Sequence, residues 1–342
     1  MQLEQPQTRT YAPPEGLLHL EKRAAEAGTA QREPRSVKIP QNTGDRIFSL
    51  LTMGFAASVL AALALMLGIL FYQGWLSIRT NGFSFITGTT WAPAANLYGA
   101  APSILGTLYT SALALVLAGV VGVFVSIFLT EIAPLRVRFT LGLLVELLGA
   151  VPSIVYGLWA FLVLVPIVRQ YIQPPLVDHF GNTPFFSGYP LGLGIFTATL
   201  ILAVMILPTI AAISRDVIAA VPNQQREAML ALGATRWETT WKVIIPYARS
   251  GIIGALLLGL GRAVGETMAV TMVIGNNQSI SPSLFGLGTT MPATIVNQFT
   301  EATGALYRSS LIEIALILMA VTVILNAAAR LLVWSVTRKF KV

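Results

Sequence analysis

The fold class predicted by this sequence is an all-α integral membrane protein with six transmembrane helices and both termini on the cytoplasmic side. Three observations predict it. The 342-residue chain is 55% hydrophobic and only 11% charged, where an ordinary soluble domain carries about 25% charged residues. Six apolar segments reach the roughly 20 residues that cross a hydrocarbon core of about 30 Å, at about 1.5 Å rise per residue. Runs such as Ala61-Ala62-Leu63-Ala64-Leu65-Met66-Leu67 are apolar all round, without the alternation of a membrane β-barrel strand. Lipid offers no partner to an open backbone amide, so such segments must close their hydrogen bonds internally, as helices do.

Residues 1–46 precede the first span. They are polar and rich in Pro, Gln and Glu, with nearly balanced charge, and are expected to be mostly disordered with a short helix around 15–27. The membrane domain follows over 47–342. Its spans are expected at about 47–72, 105–129, 139–166, 191–213, 250–275 and 308–336. The first span starts too far into the chain and runs too long for a cleaved signal peptide, so it is expected to remain as an anchor. Pro152 in the third span and Pro208 in the fourth relax the hydrogen-bond ladder and allow kinks. Glycines 251, 254, 259, 261 and 265 run through the fifth. They include the spacing Gly261-x-x-x-Gly265, a small-residue surface for close helix approach.

The cations set the orientation. Seven Lys or Arg lie in the N-terminal tail, and Arg136 and Arg138 lie between the second and third spans. Five more (Arg215, Arg226, Arg236, Lys242, Arg249) fall between the fourth and fifth, and four at the C-terminal end. Only Arg79, Arg169 and Arg308 fall on the opposite side, which places both termini in the cytoplasm. The net charge of +7 thus needs no nucleic acid to explain it.

Several chemistries are missing from the sequence. With no cysteine there is neither a disulfide framework nor a thiolate metal site, and His19 and His179 have no second ligand at useful spacing. No metal site is therefore expected. The dipeptide Gly-Lys never occurs, so there is no phosphate-cradling P-loop, and no Gly-x-Ser-x-Gly or His-Glu-x-x-His grouping is present. No catalytic residue is expected, and any ATP that drives the chain must bind another subunit.

What remains is a small set of ionisable residues inside the spans. A charge at mid-membrane costs about 2.5–3.5 kcal/mol on insertion scales, so such residues face a protein interior or a watery path. Counting from Ile252 places Arg262 roughly 15 Å into the core, near its midplane. Glu266, four residues on, is expected to stack on the same helix face and neutralise it. In a pathway role, Arg262 would offer planar paired donors to a passing oxyanion, with Glu266 holding or releasing it. Glu146 and Glu313 are possible secondary pathway residues nearer the membrane faces. The same pair could instead couple protons or ions in a transporter that uses no ATP.

The cytoplasmic loop at about 214–249 is charged and helix-forming. It carries Glu227-Ala228, then Gly233-Ala234, Trp237, and a closing Val243-Ile244-Ile245-Pro246. This pattern resembles the EAA loop of ABC-importer permeases. Together with Glu146 through Trp159 and the run Gly261-Arg262-Ala263-Val264-Gly265-Glu266-Thr267-Met268-Ala269-Val270, it resembles the C-type permease subunits of bacterial phosphate-specific ABC importers. The likeness covers about 45–340. It implies a type I importer permease fold in the bacterial inner membrane, a heterodimer with an A-type permease, two copies of an ATP-binding subunit, and a periplasmic phosphate-binding protein. It also implies that ATP and magnesium are used by the partner ATPase, with no cofactor in this chain. Glu227, Ala228, Gly233, Ala234, Trp237 and Pro246 would belong to the coupling element, and Arg262 and Glu266 to the pathway. The external segments 73–104 and 276–307 would dock the binding protein. Molybdate or sulfate are the alternative cargoes.

Overall fold

The computed structural model describes residues 43–338. The expected disordered tail up to residue 42, with its short helix, lies outside the described residues. Residues 43–46 instead open the first helix, α1 (Thr43–Asn81). The residues through Ala62 and those from Leu63 onward form two separate units. Besides the short helical turns Ser84–Thr87 and Pro93–Ala95, the second holds the later part of α1 and the longer helices.

Those helices are α2 (Ala101–Ile132), α3 (Leu135–Ala150), α4 (Ser153–Phe180), α5 (Ile195–Ala219) and α6 (Asn223–Ala231). They continue with α7 (Arg236–Gly265), α8 (Met268–Val273), α9 (Met291–Gln298) and α10 (Ala305–Arg338). Six of them, α1, α2, α4, α5, α7 and α10, are long and apolar enough to cross a membrane.

Two expected spans come out differently. The segment 139–166 is not one helix: α3 ends at Ala150, Val151 and Pro152 are extended, and the spanning helix is α4. Proline disfavours helical geometry in the residue before it and has no N–H to donate, so Pro152 acts as a break here and not as a kink. The fifth span likewise does not run unbroken to 275. Helix α7 stops at Gly265, Glu266 is extended (φ −69°, ψ 127°), and α8 restarts at Met268. Pro208 alone of the two prolines sits inside a continuous helix, α5.

Helix α5 is the most buried of the six and packs between α2 and α7. Its Ile201, Leu202, Met205, Ile206 and Ile210 are almost fully enclosed. Lipid tails are as apolar as leucine, so close van der Waals fit has to hold such helices together. Ile210 shows how: it lies between Gly122 of α2 and Gly259 of α7. A Cβ at those glycines would come within 3.1 and 2.8 Å of its side chain. At Gly261 and Gly265, by contrast, an added Cβ would meet nothing within 4 Å among the described residues. Glycines that do pack closely against neighbouring helices include Gly119, Gly122, Gly157, Gly251 and Gly259.

The end of the bundle away from α6 is folded by a second cluster of Phe85, Tyr98, Met291, Ala302 and Leu311. There the 276–307 segment is tied to α2 by buried hydroxyls, with Ser103 bonded to Thr294 at 2.9 Å and the Met291 N–H donating to Thr107 at 2.9 Å. The segments 73–104 and 276–307, expected to be external, are thus folded, as their Pro, Gly and aromatic content predicts.

Candidate functional site

Two helix breaks lie around Arg262. It lies in the last turn of α7, half-buried, and its Nη1 donates to Thr209 Oγ1 of α5 at 3.2 Å. Thr209 follows Pro208 and stands about 15 Å from one end of α5 and about 21 Å from the other, at about 1.5 Å per residue. The guanidinium is therefore held near the middle of the most enclosed span, a placement that does not depend on where α7 begins. Gly149 of α3 approaches Pro208, and Gly157 of α4 lies against Ala269 and Met272 of α8. The α3–α4 break and the α7–α8 break consequently flank the same region.

The expected pairing of Arg262 with Glu266 does not occur. An i, i+4 contact needs a continuous helix, and the chain leaves helical geometry at Glu266. Glu266 instead accepts from the Ala269 N–H at 3.3 Å and caps the start of α8. Among the described residues, Arg262 forms no salt bridge. An open backbone inside a membrane protein must satisfy its own polar groups, and here it does. The Glu266 N–H donates to the Ala263 carbonyl at 3.3 Å, Thr267 Oγ1 to the Gly265 carbonyl at 3.2 Å, and the Tyr156 hydroxyl to the Leu148 carbonyl at 2.7 Å. A cation without a carboxylate partner, next to unwound helix ends, is an arrangement suited to meeting an anion at mid-depth.

The predicted coupling segment folds as α6 and the first turns of α7. Its Glu227, Ala228, Gly233, Trp237 and Pro246 are exposed and Ala234 is half-buried. Gly233 (φ +83°) and Ala234 end α6: the Gly233 N–H donates to the Leu230 carbonyl at 3.0 Å and the Ala234 N–H to the Met229 carbonyl at 3.1 Å. This reciprocal closure places its first residue after the cap in left-handed geometry, which glycine adopts without steric cost. Thr235 and Glu238 then start α7 through a capping box, with N–H to side-chain distances of 3.2 and 3.0 Å. The Thr-x-x-Glu spacing of this box is legible in the sequence. Trp237 contacts Trp241, which contacts Phe124 of α2.

Sequence reasoning missed the residues that fasten α6 to the bundle. Arg226 reaches Glu131 in the last turn of α2, with Nη2–Oε1 at 2.9 Å, and both side chains are mostly buried. The same guanidinium donates to the Ile218 carbonyl at 2.9 Å and to the Val221 carbonyl, capping the end of α5. Nothing local announces a pair separated by 95 residues. Thr209 was missed for the same reason.

The two secondary candidates lie apart from Arg262's contacts. Glu146 is half-exposed and bonded to Arg215 at 2.8 Å. Glu313 is 6% exposed on α10, with Oε2 unpartnered, beside an apolar groove of about 550 Å³. Among the described residues no group of His, Cys, Asp and Glu could hold a metal ion.

Residues 122–338 match the family described as binding-protein-dependent transport system inner membrane component. The chain is 44% identical over 297 residues to the phosphate transport system permease protein PstC of Pasteurella multocida, covering 86% of this chain and 92% of that protein. It is 46% identical over 290 residues to PstC of Mesorhizobium japonicum, covering 84% and 89%. Among solved structures, a chain of a bacterial alginate ABC transporter in complex with an alginate-bound periplasmic protein superposes with TM-score 0.55 at 13% identity, covering 84% of this chain and 96% of that one. At that identity the likeness concerns the fold.

Proposed function

The chain belongs to the family of binding-protein-dependent inner membrane transport components, and from that premise we propose that it is the permease subunit of an ATP-driven importer carrying inorganic phosphate from periplasm to cytoplasm. The observation that carries the substrate is the identity of 44–46%, over more than four-fifths of the chain, to relatives named as phosphate permeases. The geometry fits that cargo. Among the described residues Arg262 has no carboxylate partner, its planar donors match two oxygens of a phosphate, and Glu266 is occupied in capping α8. Phosphate passing mid-depth would bind the guanidinium beside Thr209.

The subunit itself is non-catalytic in this reading. ATP and magnesium are used by two copies of a partner ATPase, into which α6 docks on the cytoplasmic side. The subunit pairs as a heterodimer with an A-type permease in this reading, and the folded far end would receive phosphate from a periplasmic binding protein. Closure of the ATPase pair would push α6, and the Arg226–Glu131 bridge would carry the displacement to α2 and α5. Arg262 lies on α7 and Thr209 on α5, so sliding of these helices would change access to the guanidinium.

Reconstituting the chain with its partner subunits and measuring ATP-driven uptake of radiolabelled phosphate, in competition with molybdate and sulfate, tests the proposal. Uptake that requires ATPase and prefers phosphate supports it. Preference for either competitor reassigns the cargo, and uptake by the solitary chain without ATPase overturns it.

A further inference from the structure

A second cationic site lies at the α6 end of the bundle, away from Arg262. A cavity of about 420 Å³ opens between the last turn of α2, the start of α3 and the last turns of α5. That is within the usual range for small-molecule pockets, about 300–1,000 Å³. Two arginines line it, and they differ. Arg215 is already neutralised, by Glu146 at 2.8 Å and Asp216 at 3.1 Å. Gly142 makes room for it, since a Cβ there would come within 2.9 Å of its Nη1.

Arg138 is the other. Its Nη2 is anchored on the Thr130 carbonyl, it forms no salt bridge among the described residues, and its Nε is buried without a partner. A fixed guanidinium that lines a cavity without a carboxylate partner suits an oxyanion taken up by paired donors. The wall beside it is apolar. Leu135, Phe139 and Leu143 recur at i, i+4 and i+8 on α3, where side chains stack on one helix face, and are 80%, 76% and 47% exposed. An ion in free solution gains nothing from such a stripe, whereas an acyl chain does.

We propose that this cavity binds the phosphate group of an anionic phospholipid from the leaflet at the α6 end, with Arg138 on the phosphate and the Leu135–Phe139–Leu143 stripe along an acyl chain. Positive-inside orientation makes this the cytoplasmic leaflet, whose anionic lipids attract juxtamembrane cations. The lipid would bridge α2, α3 and α5 next to the base of α6. The proposal stands whichever ion the chain transports.

Native mass spectrometry of the assembled complex, released from nanodiscs containing phosphatidylglycerol and phosphatidylcholine, reads the occupant directly. Wild type is expected to retain phosphatidylglycerol in preference to the zwitterionic lipid. Arg138→Gln is expected to lower that retention roughly tenfold, as loss of one charge-assisted contact does, and Arg138→Lys to lower it less. Leu143→Gln leaves the guanidinium in place and is expected to weaken lipid retention too, which carries the test if Arg138→Gln fails to assemble. Equal phosphatidylglycerol retention by wild type and Arg138→Gln overturns the proposal. So does displacement of the bound species by millimolar inorganic phosphate with no effect of Leu143→Gln, because the occupant is then soluble phosphate.

Discussion

Glu131→Gln is expected to loosen α6 from the bundle without unfolding the spans. Arg226 donates to Glu131 Oε1 from Nη2 at 2.9 Å and from Nε at 3.3 Å, and to Oε2 at 3.4 Å. The side chains are 18% and 14% exposed, so solvent screens the pair only in part. Gln keeps the size and one acceptor but removes the charge, which amounts to about 2 kcal/mol for a charge-assisted contact of this kind. Arg226→Gln should cost more, about 3–5 kcal/mol, because it strands a mostly buried carboxylate and also frees the Ile218 and Val221 carbonyls. In the double variant the pair term cancels, giving a coupling energy of about 2 kcal/mol. The assay is hydrogen exchange of the α6 amides in the assembled complex, alongside phosphate moved per ATP hydrolysed. A loss of about 2 kcal/mol raises local opening about thirtyfold, and ATP turnover should run ahead of uptake. A coupling energy below about 0.5 kcal/mol, or unchanged α6 protection, refutes the bridge as the link between α6 and α2.

Three further outcomes follow from particular contacts. Arg262→Ala is expected to abolish uptake while complex assembly stays intact, and Arg262→Lys to leave a small residue of transport because a point charge lacks the planar fork; wild-type uptake by the Ala variant removes Arg262 from the pathway. Gly259→Ala places a methyl about 2.8 Å from Ile210 and should lower thermal stability by about 1–3 kcal/mol, with Ile210→Val added to it restoring part of the loss; equal melting of wild type and Gly259→Ala denies the close α5–α7 packing. Gly233→Pro forces φ negative where the chain needs +83° and removes the donor to the Leu230 carbonyl; pull-down of the ATPase subunit should fall sharply, and unchanged capture argues against α6 as the docking element.

The parts of this protein governed by local chemistry could be read from residues alone. The number of spans follows from apolar length, since a hydrocarbon solvent admits only closed backbone ladders, although the third lies at Ser153–Phe180 and not at 139–166. The α6 stop at Gly233 follows from one left-handed position, and the Thr235–Glu238 box was equally open to reading. Pro152 announced an irregularity, but not whether it would kink or break the helix. That choice depended on how α4 packs against α8.

What remained hidden was every feature that joins distant parts of the chain. Arg262 and Glu266 looked like a pair because spacing along one helix is all a sequence displays, and a continuous ladder was the natural assumption. In the folded chain the ladder stops at Gly265, where glycine weakens the helix and neighbouring side chains satisfy the freed groups. Glu266 then turns to the start of α8, and Arg262 finds Thr209, 53 residues away. The residue types alone determined that a cation would lie deep in the membrane domain. Only the packing of α3, α4, α5 and α8 around it decided that no carboxylate would neutralise it, because a few kcal/mol of helix hydrogen bonding competes evenly with contacts that exist only once the bundle has formed.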